Sequence, residues 1–206
     1  MRCPKPACKI CSPSIFSLQP PSEFVLTRAQ VLRLLTGQEL FLLVLSLGWG
    51  WLDPGLPVWK ITFHWQAVGW GIVGALAMLA TSALMLWLSQ PLRQAIEAVD
   101  SLVFSRLQPS DFIYLAIWAG VAEEFFFRGV LQERFGLIPA SILFGLVHIP
   151  SPRYWHYGLW ATVASLYLGW VYALSGNLLT VMILHAVNNA LGLWLWRKLR
   201  PQATTE

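Results

Sequence analysis

The chain has 206 residues; 56% are hydrophobic, 12% are charged and 12 are tryptophan, whereas a soluble domain is about 25% charged. That balance excludes an ordinary soluble enzyme and predicts an integral membrane protein, with length for one helical bundle and no second soluble domain. The formal net charge of +4 does not point to nucleic acid, because the basic residues lie in short segments between apolar runs, where they set topology.

Residues 1–27 read as a flexible tail. Met1 to Pro21 contains no apolar signal-peptide core, and Pro4, Pro6, Pro13, Pro20 and Pro21 keep it extended or disordered. Cys3, Cys8 and Cys11 follow a C-x4-C-x2-C spacing, but a zinc knuckle needs a fourth ligand and no histidine lies nearby, so reduced thiols are expected. The first membrane helix is predicted within Val31 to Leu52, with Arg33, Gln38 and Glu39 interrupting its early part and Asp53-Pro54-Gly55 turning the chain after it. The second, Trp65 to Leu88, is 24 residues without a charge, about 36 Å of helix and enough to span with tilt. It contains Gly69-Trp70-Gly71-Ile72-Val73-Gly74, which matches G-x-G-x-x-G. No strand precedes it, so the dinucleotide reading fails, and Gly71 and Ala75 instead predict close helix packing.

After Pro91, the apolar positions Leu92, Ala95, Ile96, Val99, Leu102 and Val103 recur at helical spacing with Arg93, Glu97 and Asp100 on other faces. This predicts an amphipathic helix in the interface plane. Gln108-Pro109-Ser110-Asp111 reads as a loop ending in an N-cap, with the third membrane helix starting near Phe112. A short fourth helix is expected from Leu137 to Ile149, a fifth from Tyr157 to Leu174, a tight turn at Ser175-Gly176-Asn177, and a sixth from Leu178 to Trp196, stopped by Arg197, Lys198 and Arg200. The fold class is therefore all-α, a polytopic membrane bundle of about six membrane-embedded helices plus one interfacial helix. Eleven of the 14 Lys and Arg fall on one side of this topology, which predicts both termini in the cytoplasm.

Polar chemistry interrupts the apolar runs of the second half at three places: Glu123-Glu124-x-x-x-Arg128, Phe144-x-x-x-His148 and His185-x-x-x-Asn189. Each ionisable group at membrane depth costs roughly 2.5–3.5 kcal/mol, so together they ask for a reason. Glu124 and Arg128 are four apart and can pair; the pair is either a structural ion pair or the group that orients Glu123. Glu123 is turned about 100° from Glu124 and has no such local partner, which suits a general base. His185 and Asn189 share a face, while Asn188 is expected to turn away from it. A carboxylate and two imidazoles on three helices can converge on one water. Two chemistries would use them. In one, Glu123, His148 and His185 ligate a divalent metal, most readily Zn2+. In the other, no metal is needed: Glu123 with His148 activates water, and His185 with Asn189 stabilises the oxyanion. His64 and His156 are expected at helix ends.

These three blocks, in this order, resemble the motifs of the CAAX protease and bacteriocin-processing (CPBP, or Abi) family of intramembrane proteases. The resemblance covers about Asp111 to Trp196 and marks residues 111–200 as the catalytic core, with residues 28–110 supplying N-terminal membrane helices and the interfacial helix. It implies an endopeptidase acting on membrane-associated or lipid-anchored protein or peptide substrates, by a metalloprotease or a metal-independent glutamate mechanism, with Glu123, Glu124, Arg128, His148, His185 and Asn189 as site residues. The expected setting is the plasma membrane of a bacterium. The alternatives are a non-catalytic membrane binding or immunity scaffold and, third, a small transporter with a proton relay.

Overall fold

A computed structural model describes residues 26–56 and 60–199. The tail with Cys3, Cys8 and Cys11, and the expectations attached to it, lie outside the described residues. Within them the chain forms an all-α membrane bundle. The helices are α1 (Arg28–Leu52), α2 (Trp65–Leu88), α3 (Gln90–Val99, prolonged by a π turn Asp100–Phe104), α4 (Pro109–Phe126, prolonged by a π turn Phe127–Gln132 and a last turn Glu133–Phe135), α5 (Leu137–Val147), α6 (Trp155–Ser175) and α7 (Leu178–Leu199). Helices α1, α2 and α7 are each long and apolar enough to cross a membrane. The amphipathic α3 buries Leu92 and Ala95 and exposes Gln94 and Glu97.

Several boundaries differ from the sequence expectation, each for a local reason. Helix α1 starts at Arg28 because Thr27 caps it, with Thr27 and Gln30 forming a reciprocal capping box. Helix α4 starts at Pro109: proline suits a first helical position, and Asp111, expected as the cap, instead sits in the first turn and accepts from the Gln108 N–H at 2.7 Å. Helix α7 runs past Arg197 and Lys198. Cations at a helix C-terminus complement its dipole and do not end it. The Arg197 guanidinium folds back onto the end of α3, donating to the carbonyls of Leu107 and Phe104, and lies 4.4 Å from the centre of the Phe112 ring.

Lipid tails are as apolar as leucine, so packing inside this bundle depends on close approach more than on burial. Gly71 places α2 against α7, where a Cβ would stand 2.8 Å from the Thr180 carbonyl oxygen. Gly120 does the same for α4 against α7: a Cβ would meet the Met182 carbonyl oxygen and the Ala186 nitrogen, both at 2.9 Å. The outer surface keeps Phe41, Val44, Trp70, Val73, Trp87 and Leu146 exposed, as a lipid-facing belt requires. At the edge of the bundle Arg28 holds Asp111 by a two-pronged bond of 2.7 and 2.6 Å, tying the start of α1 to the start of α4.

Candidate active site

Residues lining a cavity in the bundle recur along α4 as Phe112, Leu115, Ala116, Ala119 and Glu123. This spacing puts them on one helix face. Glu123 ends that stripe and faces the cavity, which has a volume of about 520 Å³. Glu124, one residue on, points the other way into protein.

Glu124 is fully buried, as is Arg128. Arg128 donates from Nη1 to Glu124 Oε1 at 3.1 Å, and from Nη2 to the Ser165 carbonyl and to Ser165 Oγ, both at 2.9 Å. Its guanidinium also lies 5.2 Å from the centre of the Phe144 ring. His185 Nδ1 stands 2.7 Å from the same Glu124 oxygen. One carboxylate oxygen thus gathers α4, α6 and α7 through two donors. The π turn beginning at Phe127 follows at once; such turns add a residue to the helical repeat and are frequent at functional sites.

His148 is placed by α5, which ends there. Its ring stacks on Phe144 at 4.3 Å with an interplanar angle of 19°, and its Nδ1 lies 2.7 Å from the Phe144 carbonyl oxygen. A carbonyl only accepts, so Nδ1 carries the proton and Nε2 is left with its lone pair in the neutral ring. The same logic applies to His185, whose Nδ1–H faces a carboxylate. Both Nε2 atoms stand 4.0 Å from Glu123 Oε2, beyond hydrogen-bond reach, and Glu123 Oε2 has no hydrogen-bond partner. Two imidazole acceptors therefore flank one carboxylate oxygen. They call for a donor or a cation between them: a water molecule, an added proton or a metal ion.

The donor set suits zinc chemically, two imidazoles and a carboxylate, and each imidazole has the outer hydrogen bond that orients such ligands. The spacing is wider than in a ligated site, where tetrahedral donors stand about 3.3 Å apart given metal–ligand bonds of about 2.0–2.1 Å. Among the described residues no group of three such side chains stands at metal-holding distances.

Of the six residues singled out in the sequence, Glu123, His148 and Asn189 line the cavity, while Glu124, Arg128 and His185 form the buried layer behind it. Asn188 corrects the expectation that it turns away: it also lines the cavity. Three residues on from His185 is only about 60° back around the helix, and Asn189 is about 40° round on the other side. Asn188 Nδ2 donates to Asn189 Oδ1 at 3.2 Å, which fixes the Asn189 amide and leaves its own N–H donors for an occupant. Tyr157 and Glu39 line the same cavity and were not found from the motifs. Glu39 did carry a signal, since a lone carboxylate inside an apolar membrane helix is by default a functional candidate. His64 caps α2, accepting from the Ala67 N–H, as a helix-end position implies.

The family model described as "Type II CAAX prenyl endopeptidase Rce1-like" matches residues 105–191, a segment that contains all six. The uncharacterized protein YpbD of Bacillus subtilis (strain 168) is 30% identical over 136 residues, spanning 66% of this chain and 71% of YpbD. No solved structure matches the chain.

Proposed function

The chain belongs to the CAAX protease (CPBP) family that includes the Rce1-like endopeptidases, and on that premise we propose that it is an intramembrane endopeptidase in which Glu123 activates water against a peptide bond of a membrane-associated or lipid-anchored substrate. The observation that carries this reading is the unsatisfied Glu123 oxygen held 4.0 Å from each of two imidazole nitrogens at the wall of a cavity. Water seated there donates one hydrogen to Glu123. Its oxygen attacks the scissile carbonyl while Glu123, assisted by His148 Nε2, takes the proton. Asn189 Nδ2 donates to the oxyanion that forms. The proton then passes to the leaving nitrogen as the carbon–nitrogen bond breaks, which restores the carboxylate.

Glu124 and Arg128 act through His185: they fix its ring so that Nε2 faces Glu123. Phe144 fixes His148 by stacking. If a divalent metal is bound, Glu123, His148 and His185 would hold it, and it would supply a polarised, more acidic water. The surrounding apolar wall limits solvent, which strengthens every charge interaction inside it. The catalytic core proposed for residues 111–200 then sits in a bundle with both termini cytoplasmic, in a bacterial plasma membrane, the orientation favoured by its basic segments.

The test is cleavage of membrane-anchored peptides by the purified chain in proteoliposomes, with and without a strong chelator and with metal analysis of the same samples. Turnover is expected. Turnover that survives complete metal removal selects the metal-independent mechanism, and no turnover of any anchored peptide favours a binding scaffold instead.

A further inference from the structure

Glu123 is not the only carboxylate in the cavity wall. Glu39 sits on α1, outside the segment matched by the family model, on the helix face that also buries Val31 and Ser46. It is only 6% exposed, lines the same cavity as Glu123 and Asn189, and its Oε2 has no hydrogen-bond partner among the described residues. No Lys or Arg is among the described residues that line this cavity; Arg128 is committed to Glu124 and Ser165 behind the wall. The wall adds further acceptors in Glu123 Oε2 and Asn188 Oδ1, both without a hydrogen-bond partner.

A wall with unpartnered acceptors and no Lys or Arg among its described residues recognises an occupant that brings donors and positive charge. We propose that Glu39 forms a subsite for a Lys or Arg side chain of the substrate, close to the bond that is cut. The inference rests on the endopeptidase reading of the same cavity and names the substrate class it would take. A basic side chain leaving water loses hydration and regains it as a charge-assisted bond to Glu39. Its aliphatic stem lies against the apolar wall supplied by Leu35, Leu79 and Leu86. A neutral residue leaves Glu39 unpaired, and an acidic one adds another negative charge beside Glu123. Selection is therefore by the sign of one substrate side chain.

The experiment uses the full chain in lipid nanodiscs and acylated peptides that differ at one residue: Arg, Lys, norleucine or Glu, walked across the positions flanking the cleaved bond. Binding is read by tryptophan fluorescence, since Trp160 and Trp196 also line the cavity, and cleavage is scored separately. At one position Arg and Lys peptides should bind about tenfold or more tighter than norleucine, and the Glu peptide weakest. Glu39→Gln, nearly the same shape, should level that preference, and Glu39→Lys should reverse it in favour of the Glu peptide. Equal binding of Arg and norleucine at every position would overturn the proposal, as would a preference that survives Glu39→Gln in protein whose circular dichroism is unchanged. If Glu39→Lys does not fold, Glu39→Gln decides. A charge preference in binding without cleavage would keep the subsite and remove the endopeptidase reading.

Discussion

Glu123 and Glu124 are neighbours in the chain with opposite surroundings. The region around Glu124 is dry and cross-linked: Arg128 and His185 both meet its Oε1, and Ser165 accepts from the other end of the guanidinium. The region around Glu123 is open to a cavity and unanswered, with one oxygen facing two lone pairs and no donor. A buried carboxylate tied by a guanidinium and an imidazole to two other helices holds those helices in place. An acceptor left unpaired in a cavity wall costs stability and is retained where something must bind or react. The difference separates a positioning layer from a reacting face, one residue apart.

The largest expected effect lies in the dry layer. Arg128→Met leaves Glu124 without its guanidinium and should cost about 3–5 kcal/mol, the range for breaking a buried pair from one side. Denaturation in detergent should show it, and a loss below about 1 kcal/mol would mean that the layer does not hold the bundle. On the reacting face, His148→Phe keeps a ring to stack on Phe144 and removes Nε2. Cleavage should fall about a hundredfold or more with stability within about 1 kcal/mol of the parent, a split that kcat and melting curves measured on the same preparation would reveal. Smaller again is Gly120→Ala. Its methyl would press on the backbone of α7, shift the helix carrying both glutamates, and cost about 1–3 kcal/mol. An unchanged melting point would mean that α4 and α7 have room between them.

Helix number, the apolar belt and the three motif blocks were legible because each depends on local periodicity and on the cost of charge in lipid. The pairing of Glu124 with Arg128 followed from four-residue spacing alone. What sequence could not supply was the third dimension of each contact. Ser165 reads as an ordinary small residue in an apolar helix, and only the packing of α6 on α4 brings it to Arg128. Asn188 reaches the cavity because residues three and four positions on from His185 flank its face on either side. Glu39 is visible as a charge in an apolar helix, but the residues that share its cavity lie far along the chain, so local spacing does not connect them. Asp111 and Arg197 show the same limit at helix ends, where propensity marks the neighbourhood of a boundary and a specific side-chain bond fixes it.

The most direct measurement compares Glu123→Gln with Glu124→Gln for turnover of an anchored peptide and for unfolding free energy in the same membrane mimetic. The expected result is a crossed pattern: Glu123→Gln folds as stably as the parent and loses cleavage by about two to four orders of magnitude, while Glu124→Gln loses stability as well. Cleavage at the parental rate by a well-folded Glu123→Gln variant would contradict the central claim.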